Sequence, residues 1–203
     1  MYILSNIKEN IDRAWQRMLS GRRLDLLNPS PLDIEAEDIA HGLSFLARWN
    51  GQTFGEFPLS VAYHSLLVQE LFSREIKNAA WQLVALLHDA PEYVIGDMIS
   101  PVKNKIGPEY EKLEIEILRA IHIKFGLPTT VPKSIKSKIK NADKSAAWIE
   151  ATQMAGFTVK EANKIFGSQK DDFVKKYKFI PMSPFKTREA FILRLNKLLE
   201  KLN

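Results

Sequence analysis

The chain contains no cysteine, which excludes disulfides and thiolate metal sites and fits a reducing compartment. Long apolar runs are also missing. None approaches the ~20 residues that span a bilayer, so no membrane partner is expected. The run Met1-Tyr2-Ile3-Leu4-Ser5-Asn6-Ile7-Lys8-Glu9 has too little apolar content, and turns acidic too soon, for a secretion signal. A cytoplasmic protein is expected. There are no internal repeats, no low-complexity tracts and no convincing alternation of apolar and polar residues. The last absence removes the signature of half-buried strands and leaves an all-α fold as the expectation.

What the sequence does have is the material for one domain. Its 203 residues are 45% hydrophobic and 26% charged, enough for a substantial core. The net charge of +5 favours an anionic ligand, from nucleotide to nucleic acid. Much of the excess lies in Lys133 to Lys144 and Lys170 to Lys178. The first run carries no aromatic of the kind that single-strand binders interleave. Both read as solvated faces, and a nucleic-acid partner is not expected.

Periodicity places the helices. Ile7, Ile11, Trp15 and Leu19 recur at steps of four and predict a helix over residues 5 to 19, ended by Gly21. Asn28-Pro29-Ser30-Pro31 marks a turn, and Asp33 to Leu46 a second helix. Val61, His64, Leu67, Val68 and Leu71 predict a helix over Ser60 to Phe72. The run from Trp81 to Leu87 reads as a buried helix, stopped or bent by Pro91. Residues 90 to 107 read as a long connection, and long connections in compact domains tend to be functional. Pro108, with acidic residues behind it, opens a helix to about Phe125. Pro132 opens another, Lys133 to about Met154. A short helix covers Thr158 to Phe166, and Ser183-Pro184 opens the last.

The chemistry gathers on three of these segments. His88-Asp89 closes a buried run, where an imidazole and a carboxylate need something to offset their desolvation. His64 faces inward on its own helix. A lone inward histidine is more often a hydrogen-bonded core residue than a ligand, but His88 also lies on an inward stripe with Trp81, Val84 and Ala85. Asp143 shares a face with Ile139 and Ala146-Ala147; it is either a further ligand or a partner of Lys140 or Lys144. Two imidazoles and two carboxylates suit Mn²⁺, Co²⁺, Fe²⁺, Ni²⁺ or Zn²⁺ better than Ca²⁺. Four protein ligands on an octahedral ion leave room for water and a substrate oxygen. Arg48-Trp49 sits on a loop before the His64 helix. Arg clamps phosphate bidentately and Trp stacks on a base or sugar, although a surface Arg beside a core Trp gives the same sequence. His41 and His122 read as structural.

The order His, then His-Asp about two dozen residues on, then a distant Asp resembles the HD superfamily of metal-dependent phosphohydrolases. Four blocks carry the resemblance further. They are Ser60-Val61-Ala62-Tyr63-His64-Ser65, Ala85-Leu86-Leu87-His88-Asp89-Ala90-Pro91-Glu92, Gly96-Asp97-Met98-Ile99-Ser100-Pro101-Val102-Lys103 and Ala142-Asp143-Lys144. Together they resemble the bacterial 5′-deoxynucleotidase branch, over roughly residues 45 to 155. The resemblance implies a single HD-type helical bundle over 1–203, with N- and C-terminal extensions. It implies that His64, His88, Asp89 and Asp143 hold one metal. Glu92 would activate or shuttle a proton for the attacking water, and Asp97 would contact the sugar or that water. Arg48 would clamp the phosphate, Trp49 would pack on sugar or base, and Lys103 would add charge. Two-metal members carry further histidines between the His-Asp pair and the last Asp, where this chain has only His122; one metal per chain is the expectation. A homodimer acting on a small nucleotide is implied too. Cleavage of deoxynucleoside triphosphates, or nucleotide sensing without turnover, stays open as an alternative.

Overall fold

The computed structural model describes residues 14–202. It begins with a hairpin in which β1 (Trp15–Arg17) pairs antiparallel with β2 (Arg23–Asp25). Helices follow: α1 (Ala36–Phe45), α2 (Val61–Glu75), α3 (Ala79–Leu86), α4 (Glu92–Ile95) and α5 (Ser100–Ile106). The chain continues through α6 (Pro108–Lys124), α7 (Lys133–Gln153), α8 (Val159–Phe166), α9 (Asp172–Lys176) and α10 (Pro184–Leu199). Apart from the hairpin the fold is all-α. Among the described residues, no helix is long and apolar enough to cross a membrane.

The bundle is assembled around α2. Its cap follows from Ser60, whose hydroxyl accepts the Tyr63 N–H at 3.2 Å. Val61, Ala62, Leu67, Val68, Leu71 and Phe72 are all buried, as are Tyr63, His64, Ser65 and Gln69, so α2 is covered on most of its surface and belongs in the centre. It packs on α1, α3, α7 and α10. Each fully buried Leu or Val there contributes roughly 1.5–3 kcal/mol of hydrophobic burial. Helix α1 packs so closely on α4 that a Cβ at Gly42 would lie 2.9 Å from Tyr93 Cβ and from its carbonyl oxygen. That glycine sets the depth of the turn that carries Glu92.

The predicted helix over 5 to 19 is corrected where it can be seen; its portion up to residue 13 lies outside the described residues. Trp15–Arg17 is a strand, and Gly21 takes φ 87 in the reversal between the strands. The reversal is fixed from outside, because Asp38 on α1 accepts both the backbone N–H (2.9 Å) and the hydroxyl (2.6 Å) of Ser20. Leu24 is then fully buried. From Trp15 onward the conformation is set by tertiary contacts, which override local pattern.

The segment 90–107 is also corrected. It folds into α4 and α5 and is not a loop. Helix α3 ends at Leu86, ahead of Pro91, so His88 and Asp89 stand in a turn between two helices. Asp33 falls in a 3-10 turn (Pro31–Asp33), and α1 starts only at Ala36.

Candidate metal and phosphate site

Three parts of the chain meet below α2. His64 comes from the buried side of α2 and is fully inaccessible. His88 and Asp89 come from the turn after α3, and Asp143 from α7. One ligand atom from each of His64, His88 and Asp143 lies within 4.8 Å of the others. Asp89 joins them: its Oδ2 is 3.1 Å from His88 Nε2 and 3.5 Å from His64 Nε2. Asp143 Oδ1 is 3.2 Å from His64 Nε2.

The imidazole protons can be assigned by elimination. His88 Nδ1 lies 3.0 Å from the Ala85 carbonyl, an acceptor, so it carries the hydrogen and donates. His64 Nδ1 donates to Glu150 Oε1 at 2.6 Å in the same way. Both Nε2 atoms are buried and make no hydrogen bond. Two such nitrogens facing two carboxylates need a cation between them, either a proton or a metal ion. The donor set therefore fits a divalent ion by geometry as well as by type. Without the ion, protons take its place. Burial and the Arg48 charge pull His64 down, but Glu150 and Asp143 outweigh them and it is pushed up to about 10. Burial opposes the ionised forms of Asp89 and Asp143, yet the neighbouring histidines hold both below the ordinary carboxylate range.

Glu92 and Asp97 flank this group on the α4 side. Glu92 is buried; one oxygen lies 3.4 Å from Lys103 Nζ and the other has no partner. Burial, then the charges of Asp89 and Asp97, push it up to about 9. Burial also raises Asp97, while Arg48 opposes the rise. Lys103 is already occupied, since it bridges Glu92 and Glu114 (3.2 Å). Its two carboxylates outweigh burial and raise its pKa.

Arg48 and Trp49 begin a tight 3-10 turn, Arg48–Gly51. Trp49 and Asn50 are left-handed, with φ 56 and φ 51. Such strain costs on the order of 1–3 kcal/mol per residue and persists only where the surroundings hold it. Two things hold it here. Ala47 pairs with Ser60 across the neck of the loop, with Arg48 N–H donating to the Leu59 carbonyl at 2.8 Å. The second is Glu150, a residue that the sequence reading did not single out. It is fully buried on α7, and its Oε2 accepts from Arg48 Nε (3.0 Å) and from Trp49 Nε1 (3.1 Å). Burial would raise Glu150, but Arg48 and His64 hold it at about 2. A signal was present: Glu150 stands two helical turns past Asp143, on the same face and beside apolar Trp148-Ile149.

A cavity of about 480 Å³ opens onto the cluster, lined by Arg48, Trp49, Asp89, Glu92, Asp97 and Asp143 among others. That volume is within the range of small-molecule pockets. Its apolar wall is Trp49 with Phe157 and Phe166, whose rings lie 5.5 and 6.1 Å from the indole. Lys103 and Asp143 also border a second cavity, of about 570 Å³, which holds His88, His122, Lys136 and Lys140 in its walls. All nine residues expected in the site thus fall around one point. His41 is instead stacked on Phe45, and His122 Nδ1 donates to the Pro128 carbonyl at 2.8 Å.

An all-α bundle that collects two imidazoles and two carboxylates in the order His, His-Asp, Asp is a domain of the HD type. A family model described as 5′-deoxynucleotidase YfbR-like matches residues 43–186, and the chain belongs to that family. An uncharacterized protein of Rhodobacter capsulatus is 54% identical over 193 residues, covering 94% of this chain and 98% of the relative. The uncharacterized protein YfdR of Escherichia coli is 34% identical over 104 residues, 51% of this chain and 54% of the relative. Membership supports a metal-dependent phosphohydrolase.

Proposed function

We propose that the protein removes the 5′-phosphate from deoxyribonucleoside monophosphates, using one divalent ion and a water nucleophile. The observation that carries this reading is the gathering of His64, His88, Asp89 and Asp143 beside a cavity that Asp89 and Asp143 line together with Arg48 and Trp49. His64, His88, Asp89 and Asp143 would hold the ion. When bound, it would supply Lewis-acid polarisation of a phosphoryl oxygen and a lowered pKa for a coordinated water.

The chain's own residues do the rest. Arg48 spends Nε on Glu150, which leaves its terminal nitrogens for phosphate oxygens; Nη1 already stands 3.8 Å from Asp89. Its raised pKa keeps it charged at every working pH. Trp49, pinned by its Nε1–H, offers the sugar or base an apolar face continuous with Phe157 and Phe166. Glu92, with one free oxygen, exchanges a proton with the attacking water or the leaving sugar oxygen. Asp97 lines the same cavity and orients that water or the sugar. Lys103 holds the Glu92 carboxyl in place. Positioning and charge neutralisation of this kind are what phosphoryl transfer requires.

The test is phosphate release from a panel of deoxy- and ribonucleoside mono-, di- and triphosphates with Mn²⁺ or Co²⁺. Deoxynucleoside monophosphates are the expected substrates, and full activity in a His88→Ala protein would refute the site. Release of tripolyphosphate would move the assignment to triphosphate cleavage. A nucleotide-induced rise in melting temperature without any product would make the protein a sensor. A cytoplasmic homodimer is part of the proposal, and light scattering reads the mass.

A further inference from the structure

The carboxylate of Glu150 does not line the cavity, yet both of its oxygens are engaged. It is fully buried and accepts three N–H donors, from His64, Arg48 and Trp49, all more than eighty residues away in sequence. A counter-ion for Arg48 alone would be free to turn both oxygens to the guanidinium fork. Here Oε2 takes Arg48 and Trp49, and Oε1 is turned the other way, to His64 Nδ1.

We infer that Glu150 is a positioning residue that sets the His64 imidazole and the Arg48 guanidinium together, so that one carboxylate holds both the cation site and the phosphate clamp. The phosphate half of this statement rests on the proposed function; the cation half rests on the geometry. By accepting from Nδ1–H, Glu150 leaves the Nε2 lone pair of His64 directed at Asp89 and Asp143. By accepting from Arg48 Nε, it fixes the plane of the guanidinium and the direction of its remaining nitrogens. By accepting from Trp49 Nε1, it holds the left-handed turn that carries both residues.

Glutamine at this position is isosteric but chemically wrong. A carboxylate is acceptor-only, whereas an amide has one oxygen and one NH₂. Three donors face position 150. If the amide oxygen meets Arg48 and Trp49, the NH₂ meets His64 Nδ1, which must then accept, and the ring proton moves to Nε2 where the cation belongs. If the amide turns over, the NH₂ meets the N–H groups of Arg48 and Trp49 and the clamp loses its anchor. No orientation preserves both.

The experiment compares wild type, Glu150→Gln and Arg48→Ala by calorimetric titration with two probes. The probes are Mn²⁺ alone, and inorganic phosphate at Mn²⁺ concentrations that saturate each protein. Thermal melts check the fold. For Glu150→Gln, Mn²⁺ affinity is expected to fall roughly ten- to a hundredfold, the cost of losing the partner that orients a metal-ligating histidine. With the amide turned over, phosphate affinity is expected to fall in its place, with KM rising and kcat dropping on any nucleotide that turns over. Arg48→Ala should lose phosphate affinity while Mn²⁺ affinity stays within about threefold of wild type, since His64 keeps its partner. Glu150→Asp retains the charge but withdraws both oxygens by one methylene, and losses on both probes are expected, smaller in size. A folded Glu150→Gln protein that binds both probes within about twofold of wild type overturns the inference, and so does a folded Glu150→Asp protein that loses affinity for one probe alone. Both titrations are free of turnover. A wild type that hydrolyses no nucleotide would therefore refute the proposed function and leave this test decisive.

Discussion

His64 and His122 are both buried histidines whose Nδ1 donates to an oxygen and whose Nε2 makes no hydrogen bond. Around His64 stand Glu150, Asp143 and Asp89; His122, at the end of α6, has the Pro128 carbonyl as its Nδ1 partner. The first is pushed up to about 10, the second down by burial. Burial by itself drives both the same way, so the carboxylates account for the difference. One region is built to hold a positive charge and the other to exclude one.

The largest expected effect comes from making the first region resemble the second. Asp89→Asn removes a carboxylate from beside His64 and His88; Mn²⁺ affinity and kcat/KM should each fall by more than about a hundredfold, beyond the loss from an outer partner. Metal titration and phosphate release read it, and a fall of less than tenfold would remove Asp89 from the ligand set. Glu92→Gln leaves the charge-holding region intact and takes away the proposed proton carrier. Its kcat should drop about 10²- to 10⁴-fold with Mn²⁺ affinity unchanged. Equal losses in both would mean that Glu92 holds the ion.

Protons supply the next test. The folded pKa of His64 lies above its ordinary 6.5, so its stabilising contribution is complete below 6.5 and disappears as the pH rises toward about 10. Melts of protein stripped with EDTA should therefore show falling stability across that interval. Mn²⁺ should bind more tightly over the same range, by up to about tenfold per pH unit for each displaced proton. The smallest effect belongs to His122. Its folded pKa is depressed, so its contribution is present above 6.5 and declines as the pH falls below it. In His122→Gln, stability between pH 5 and 7 should depend less on pH than in wild type, with Mn²⁺ binding untouched.

Much of this was legible before the fold was known. Apolar spacing put His64, His88 and Asp143 on inward faces, and inward polar residues demand partners. The order of the four motif blocks then pointed to one chemistry. Three features escaped for physical reasons. The hairpin at Trp15–Asp25 is held by Asp38, a contact that no local pattern announces. The short helices α4 and α5 are bounded by glycines and prolines that equally suit a loop. Glu150 has its partners more than eighty residues away, so its sequence neighbours reveal only an acid on an apolar face.

The neck between Ala47 and Ser60 has a consequence for divergence within the family. The chain leaves the bundle at Ala47, makes the Arg48–Trp49 turn, and returns at Ser60 beside the point where it left. Arg48 is tied to one side of that neck and the cap of α2 to the other. The turn is closed by the Gln52 N–H on the Trp49 carbonyl, and Phe54 N–H is tied to the Met154 carbonyl at 2.8 Å, so residues added or lost between Gly55 and Pro58 leave Arg48 and the His64 helix where they are. Sequence drift is free to alter this stretch, and with it the outer shape of the protein, without re-inventing the chemistry underneath.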